Sequence, residues 1–418
     1  MLHCTIPKAD PAATHPHAEI LPLMPEIQDV FIVSGARTAV GDFGGALKDV
    51  GPSDLAATVA REAIRRSGLT AEHIGHTVFG NIIHTDAKDM YLSRVAALNA
   101  GLPQGSPALT LNRLCGSGLQ AILSAAQMIM LGDVEVALAG GAESMSRAPY
   151  WSRNTRWGKR LGDAELVDAM LAALHDPFHG CHMGVTAENV AGKYGITRAA
   201  QDQLAVESHR RAAAAIASGR FRDQIVPVEI KSRKKTVMFE QDEHVRADVT
   251  LEELSKLPTV FKEGGSVTAG NASGINDGAA AVVLASRTSV ERHGLHALGR
   301  LVAYAHAGVD PEFMGIGPVP AVQKVMERAG LTVADMDVIE SNEAFAAQAL
   351  AVQQELGLPS DRTNPNGSGI SIGHPVGATG CIITVKALYE LQRIRGKYAL
   401  VTMCIGGGQG IAAIYATA

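Results

Sequence analysis

The chain repeats itself, weakly but in order, and this repeat limits the possible architecture more than any single motif. Gly68-Leu69-Thr70 closes a helical pattern over Ser53–Ser67, and Gly330-Leu331-Thr332 closes another over Val319–Ala329. Polar residues and then an apolar strand follow each: Thr77–Gly80 running into Asn81, and Val338–Ile339 leading to Asn342. Further on, ALAGG at 137–141 is answered by MCIGG at 403–407. These three landmarks lie 262, 261 and 266 residues apart. Two similar α/β halves, packed against each other, are the expected consequence.

Within the halves, Ser53 is the expected N-cap of a helix with the apolar stripe Leu55, Val59, Ala63 and Ile64, and Gly68 its end. The short apolar runs Val30–Val33, Ala108–Leu111 and Val134–Ala139 suit parallel strands covered on both faces. Ser146–Gly265 differs in character. It holds both tryptophans and much of the charge, and Thr250 with Glu253 forms a capping box there. It reads as an inserted lobe over one end of the sheets.

Composition removes several function classes. The net charge of −5 leaves no electrostatic footprint for nucleic acid, and the basic run KSRKK at 231–235 is too short to supply one. Aromatics are only 4% while glycines number 44, so the core is built from small aliphatic side chains. The uncharged stretches Leu114–Gly132 and Tyr398–Ala418 are interrupted by polar residues or by GGGQG, so no membrane span is expected. Five cysteines without a C-x-x-C pair argue against a disulfide framework and for a reducing, cytoplasmic setting. Residues 1–26 have neither the apolar core of a signal peptide nor the Arg-rich face of a transit peptide. Met24 is an alternative start, and residues 1–23 are expected to be dispensable for activity.

The halves differ where chemistry would sit. A strand leads into NRLCGSG (112–118) and a long uncharged helix in the first half; the matching place in the second is GHPVGATG (373–380) before the helix Ile382–Arg393. Pseudo-symmetry would bring Cys115 and His374 face to face as a nucleophile and its base. The start of a helix would lower the thiol pKa. The plain alternatives are an inert buried cysteine and a helix-capping histidine. Cys404, followed by GGGQG, offers backbone N–H donors for an oxyanion, or simply a tight turn between buried strands. Cys404 and Asn342 are expected in strand-end loops on the same side.

Three further motif matches compete. GISIG (369–373) fits G-x-S-x-G but lacks the later acid and histidine of a hydrolase. GSGLQA (116–121), with Glu143 at the next strand's end, fits a dinucleotide fingerprint and would make a nucleotide-dependent oxidoreductase. The group His175, Asp176, His179, Cys181 and His182 has metal-ligand residue types without a regular ligand spacing, so no metal site is expected.

Seven motifs in order, NRLCGSG, GGAESMS (140–146), HMGVTAEN (182–189), GNASGINDGAA (270–280), NEAFA (342–346), GHPVGATG and CIGGGQG (404–410), make the chain from about 28 to 418 resemble a thiolase. It is most similar to bacterial β-ketothiolases. The resemblance implies the thiolase fold, an αβαβα sandwich of two β-α-β-α-β-α-β-β halves with a loop domain. The expected division is an extension over 1–26, an N-terminal half over 27–146 and 275–296, a loop domain over 147–274, and a C-terminal half over 297–418. The implied reaction is 3-ketoacyl-CoA + CoA = acyl-CoA + acetyl-CoA through a cysteine acyl-enzyme, with coenzyme A as substrate and no cofactor. A homotetramer built as a dimer of dimers is also implied.

By the same resemblance Cys115 carries the acyl group, His374 activates it, and Cys404 moves the α-proton. Asn342 holds a water that, with His374, binds the enolate oxygen, and the N–H groups of Cys115 and Gly406 form a second oxyanion hole. Ser273 contacts the pantetheine arm and Arg246 the adenine and phosphates of CoA. His182, Met183, Met314 and Phe345 wall the pocket. A decarboxylating ketoacyl synthase of the same fold is the nearest rival, and Cys404 argues against it.

Overall fold

The computed structural model describes residues 28–231 and 235–418. Residues 1–26, with Met24, and the centre of the KSRKK run lie outside the described residues. The main strands are β1 (Val30–Arg37), β2 (Gly41–Asp42), β3 (His76–Gly80), β4 (Ala108–Leu111), β5 (Val136–Ser144), β6 (Asn276–Ser286), β7 (Gly299–Gly308), β8 (Val338–Ser341), β9 (Tyr398–Ile405) and β10 (Gln409–Ala416). The helices that matter here are α1 (Pro52–Ser67), α2 (Leu92–Asn99), α3 (Ser117–Met130), α4 (Met183–Tyr194), α5 (Arg198–Ala217), α6 (Pro318–Ala329), α7 (Ala346–Leu356) and α8 (Thr379–Ile394).

The strands run in the order β8-β9-β10-β7-β1-β6-β5-β3-β4, with β2 on β6. Both halves follow one scheme. β5 pairs antiparallel with β6 and parallel with β3, as β9 pairs antiparallel with β10 and parallel with β8. The two sheets meet through only two residue pairs, Phe31↔Arg300 and Ile32↔Gly299. After the insertion the chain returns to the first sheet, because β6 lies between β1 and β5. In the second half the counterpart of β4 shrinks to one bridge, Ile339↔Thr363.

Side-chain alternation explains the layers. In β5, Ala137 and Ala139 face the central cluster with α3 and α8, while Val136 and Leu138 face the outer cluster with α1 and α2. A third cluster packs α6 and Val352 of α7 on the far side of the second sheet. The order is therefore helix, sheet, helix, sheet, helix. Strands covered on both faces read as unbroken apolar runs, and helix α8 in the middle is buried from Thr379 to Leu388.

The central helices touch backbone to backbone. A Cβ on Gly118 would lie 2.7 Å from the Cys381 amide nitrogen, and one on Gly380 would strike the Leu119 amide. Only glycine fits there. Gly380→Ala is expected to lower stability by about 1–3 kcal/mol or more by overpacking, read as a lower denaturation midpoint.

Several local expectations need correction. Gly51, not Ser53, is the N-cap of α1, and Pro52 occupies the first turn. The Ser53 hydroxyl instead donates to buried Asp89 (2.5 Å). Gly68 does end α1, at φ +76°. β1 runs on to Arg37 and is antiparallel to both neighbours. β4 is a half-exposed sheet edge rather than a covered strand. The Thr250–Glu253 capping box is present.

Candidate active site

The nucleophile candidate sits on a strained turn. Between β4 and α3, Leu114 adopts φ +45°, rare for a non-glycine residue. Three side-chain bonds hold this turn. Leu114 N–H donates to Asn112 Oδ1 (2.8 Å), Arg113 N–H donates to Ser117 Oγ (2.8 Å), and that hydroxyl donates to the Leu114 carbonyl (2.7 Å). Cys115 is thereby held just ahead of α3, whose N-cap is Gly116.

Cys115, Cys404, His374 and the Gly406 backbone share one cavity of about 440 Å³, together with Ser273, Arg246, His182, Met183, Met314 and Phe345. Asn342 stands behind this wall with its Nδ2 3.5 Å from His374 Nε2, and its buried Oδ1 has no partner among the described residues. Cys404 lies in β9 opposite Gly410, one residue before the strand ends, and not in a loop. Gly407 and Gly408 make the turn that follows, at φ +77° and +81°. Gly406 is tightly placed: a Cβ there would come 2.9 Å from Met183 Cε.

The tautomer of His374 follows from its neighbours. The Thr379 hydroxyl donates to the Pro375 carbonyl (2.9 Å), so His374 Nδ1, 2.7 Å from that oxygen, carries the proton and donates it. Nε2 is left unprotonated, with the Asn342 Nδ2–H group 3.5 Å away as its donor. Burial depresses the His374 pKa to about 4, so the ring is neutral at pH 7.

The thiols behave otherwise than the helix-start argument expects. Burial pushes the Cys115 pKa up, and the N–H groups of Gly406 and of Cys115 itself oppose this only in part; Glu143 adds to the rise. Burial, and then proximity to Cys115, push Cys404 up as well. Both rest as thiols, so the proton must leave as the sulfur attacks. A neutral imidazole with Nε2 unprotonated can accept it.

Thr379, Asn276 and Glu143 hold the ring and the loop of His374, and sequence reasoning missed or misread them. Asn276 Oδ1 accepts the His374 N–H (2.9 Å). Glu143 is fully buried and accepts from Asn81 Nδ2 (3.0 Å), Ile82 N (3.1 Å), Ile83 N (3.1 Å) and Gly377 N (3.0 Å). It ties the first half to the loop carrying His374, and burial raises its pKa to about 8 against those N–H donors. Its place in GGAESMS was the one available signal.

The other walls are packing surfaces. His182 caps α4 by accepting from Gly184 N (3.0 Å) and stacks on Phe261 at 4.6 Å. Burial lowers its pKa to about 4. Arg246 is exposed at the mouth and makes no side-chain hydrogen bond or ion pair with the described residues, while its backbone N–H donates to His209 Nδ1 (3.1 Å). Ser273 is anchored by its N–H to the Ala344 carbonyl (2.9 Å).

The competing motifs take ordinary structural places. Ser371 of GISIG is buried, bonded to Ser208 Oγ (2.8 Å) and the Ser368 carbonyl (3.2 Å), with no imidazole. The start of α3, where a dinucleotide would need room, is covered by the backbone of 377–381, which overturns the oxidoreductase reading. In the His/Cys group, Asp176 Oδ2 accepts from the N–H groups of Phe178 (3.1 Å) and His179 (2.7 Å). The His179 ring sets Nδ1 3.1 Å from Asp176 Oδ2 and Nε2 3.7 Å from half-buried Glu312, with exposed Asp310 close by.

Comparison with known proteins agrees with this geometry. Residues 30–288 match the family model of the thiolase N-terminal domain, and 295–417 that of the C-terminal domain. The chain is 65% identical over 389 residues to beta-ketothiolase BktB of Cupriavidus necator, covering 93% of this chain and 99% of that one. It is 48% identical to an acetyl-CoA acetyltransferase of Syntrophomonas wolfei, covering 93% and 98%. Human mitochondrial 3-ketoacyl-CoA thiolase superposes with a TM-score of 0.92 at 45% identity, over 94% of this chain and all of that one. A match across both halves, at this identity and over nearly the full length of each relative, means that the chain belongs to the thiolase family, enzymes of reversible Claisen condensation and thiolysis on acyl-CoA thioesters.

Proposed function

We propose that this chain runs 3-ketoacyl-CoA + CoA = acyl-CoA + acetyl-CoA as two half-reactions on Cys115. One observation carries the reading: residues 115, 374 and 404, far apart in sequence, line a single cavity. In the condensation direction, His374 Nε2 takes the Cys115 proton as sulfur attacks the thioester carbonyl of acyl-CoA, and when the adduct collapses to the Cys115 thioester CoA leaves as its thiol, taking that proton. The N–H groups of Cys115 and Gly406 hold the oxyanion. In the second half-reaction Cys404 takes a proton from the α-carbon of acetyl-CoA, while His374 and a water held by Asn342 bind the enolate oxygen; the α-carbon then attacks the Cys115 thioester carbonyl, the C–S bond breaks, and the released sulfur regains a proton as 3-ketoacyl-CoA forms. Ser273 receives the pantetheine arm, and Arg246 the adenine and phosphates. His182, Met183, Met314 and Phe345 exclude water from the thioester. Coenzyme A is a substrate, and none of these steps calls on a metal or redox group.

Two surface features support the tetramer. The half-exposed edge strand β4 offers unpaired backbone groups to a second copy. The hairpin of Tyr150–Ser152 and Leu166–Asp168 exposes Tyr150, Trp151, Trp157, Leu161 and Leu166, a patch suited to joining two dimers. A cytoplasmic location rests on four described cysteines that are all free thiols. Among the described residues no helix is long and apolar enough to cross a membrane.

Steady-state thiolysis of acetoacetyl-CoA should give the parallel-line pattern of a ping-pong mechanism, and intersecting lines would count against it. The acylation half-reaction should also show a His374 acid limb near pH 4, not near 6.5, because the working form is the neutral ring. A limb at 6.5 would remove His374 as a buried base. The same depression makes acid destabilising. Between pH 6.5 and 4 the unfolded chain holds a proton at this residue that the folded chain lacks, so stability falls as pH drops through that window.

A further inference from the structure

An imidazole–carboxylate pair stands in the cavity wall, and none of the steps above uses it. His244 lines the cavity, and its Nδ1 meets Asp42 Oδ1. The His244 hydrogen bond depresses the Asp42 pKa against the opposing effect of burial, so Asp42 is ionised and Nδ1 is the donor. Nε2 is then the free edge of the ring, and it has no hydrogen-bond partner among the described residues. The ring lies against Gly274, where a Cβ would be 2.7 Å from Cε1 and 3.0 Å from Nε2. The free edge thus borders the Ser273–Gly274 segment. Asp42 is held in turn: its N–H donates to Glu243 Oε2 (2.9 Å), and Asn276 Nδ2 donates to its Oδ1 (3.3 Å). The same Asn276 accepts the His374 N–H at 2.9 Å.

Resting on the assignment of this cavity to acyl-CoA, we propose that His244 is a substrate-binding residue whose Nε2 accepts a hydrogen bond from an amide N–H of the pantetheine arm. The arm is a chain of secondary amides with N–H groups to place, and an imidazole whose Nδ1–H is committed to a carboxylate holds Nε2 in a fixed direction. Gly274 leaves the imidazole its place, since any side chain there would displace it. Through Asp42 and Asn276 the contact shares its support with the peptide of His374, which fixes the arm relative to the catalytic ring.

The test is thiolysis kinetics of His244→Ala and His244→Gln with two substrates, acetoacetyl-CoA and acetoacetyl-pantetheine, which keeps the arm and lacks the nucleotide. His244→Ala should raise KM roughly 3- to 10-fold for both, the size of one uncharged hydrogen bond, with kcat within about twofold. His244→Gln, whose amide oxygen can also accept, should recover part of the loss. A rise confined to acetoacetyl-CoA would mean contact with the nucleotide and overturn the assignment, as would unchanged KM values. Failure of the wild-type protein to form an acyl-enzyme would strike the catalytic reading instead.

Discussion

Cys115→Ala is expected to abolish the covalent acyl-enzyme and to lower turnover on the order of 10⁴-fold or more, the scale seen when a nucleophile is removed. Intact-mass measurement after incubation with acetyl-CoA reads this directly: the wild-type protein gains an acetyl group and the variant does not. The other thiols are poor substitutes. Cys381 is buried in the central cluster, with burial driving its pKa well up. Cys181 lies in the loop before α4 and does not line the cavity. Cys404 lines it, but burial and Cys115 together push its pKa up. Acetylation mapped to Cys181 or Cys381 would refute the assignment. The fold should survive the change, because removing the sulfur leaves intact the bonds of Asn112 and Ser117 that hold the turn.

The second expected result separates Cys404 from His374. Cys404→Ser should still be acetylated at Cys115, while deuterium exchange at the acetyl methyl group and turnover of acetoacetyl-CoA fall roughly 10²–10⁴-fold, the range for a lost acid–base group. A hydroxyl fits the site but is a much poorer acid and base near neutral pH. His374→Ala should impair both half-reactions, since the proposed mechanism gives Nε2 both the Cys115 proton and a share of the enolate site. Rapid-quench acylation beside isotope exchange distinguishes the cases. If Cys404→Ser loses acylation as completely as Cys115→Ala, Cys404 belongs to the support of the nucleophile and not to α-proton transfer.

Much of the architecture was legible because it rests on local patterns that recur. Gly68 and Gly330 end their helices in the left-handed conformation at matching places in the two halves. The apolar run Val134–Ala139 announces β5, a strand covered on both faces. Local rules failed where a neighbour from afar intervened. Ser53 has the chemistry of an N-cap, but Asp89 takes its hydroxyl. Ala108–Leu111 has the composition of a buried strand, but it closes the sheet and has one neighbour.

The site divides the same way. The order of the motifs and the types of Cys115, His374 and Cys404 are properties of the sequence, and they were enough for the family and the reaction. Protonation is not such a property. The rise in the Cys115 pKa, the fall of His374 to about 4 and the proton on Nδ1 depend on burial and on the Thr379–Pro375 bond. The clamp of Glu143 on Gly377 joins residues 234 positions apart, and the support running from His244 through Asp42 and Asn276 to His374 crosses both halves and the inserted lobe. Spacing along a chain reports which side chains share a helix or strand face. Electrostatic free energies depend on solvent exclusion and on partners brought together only when distant segments pack, so the tertiary structure alone decides them.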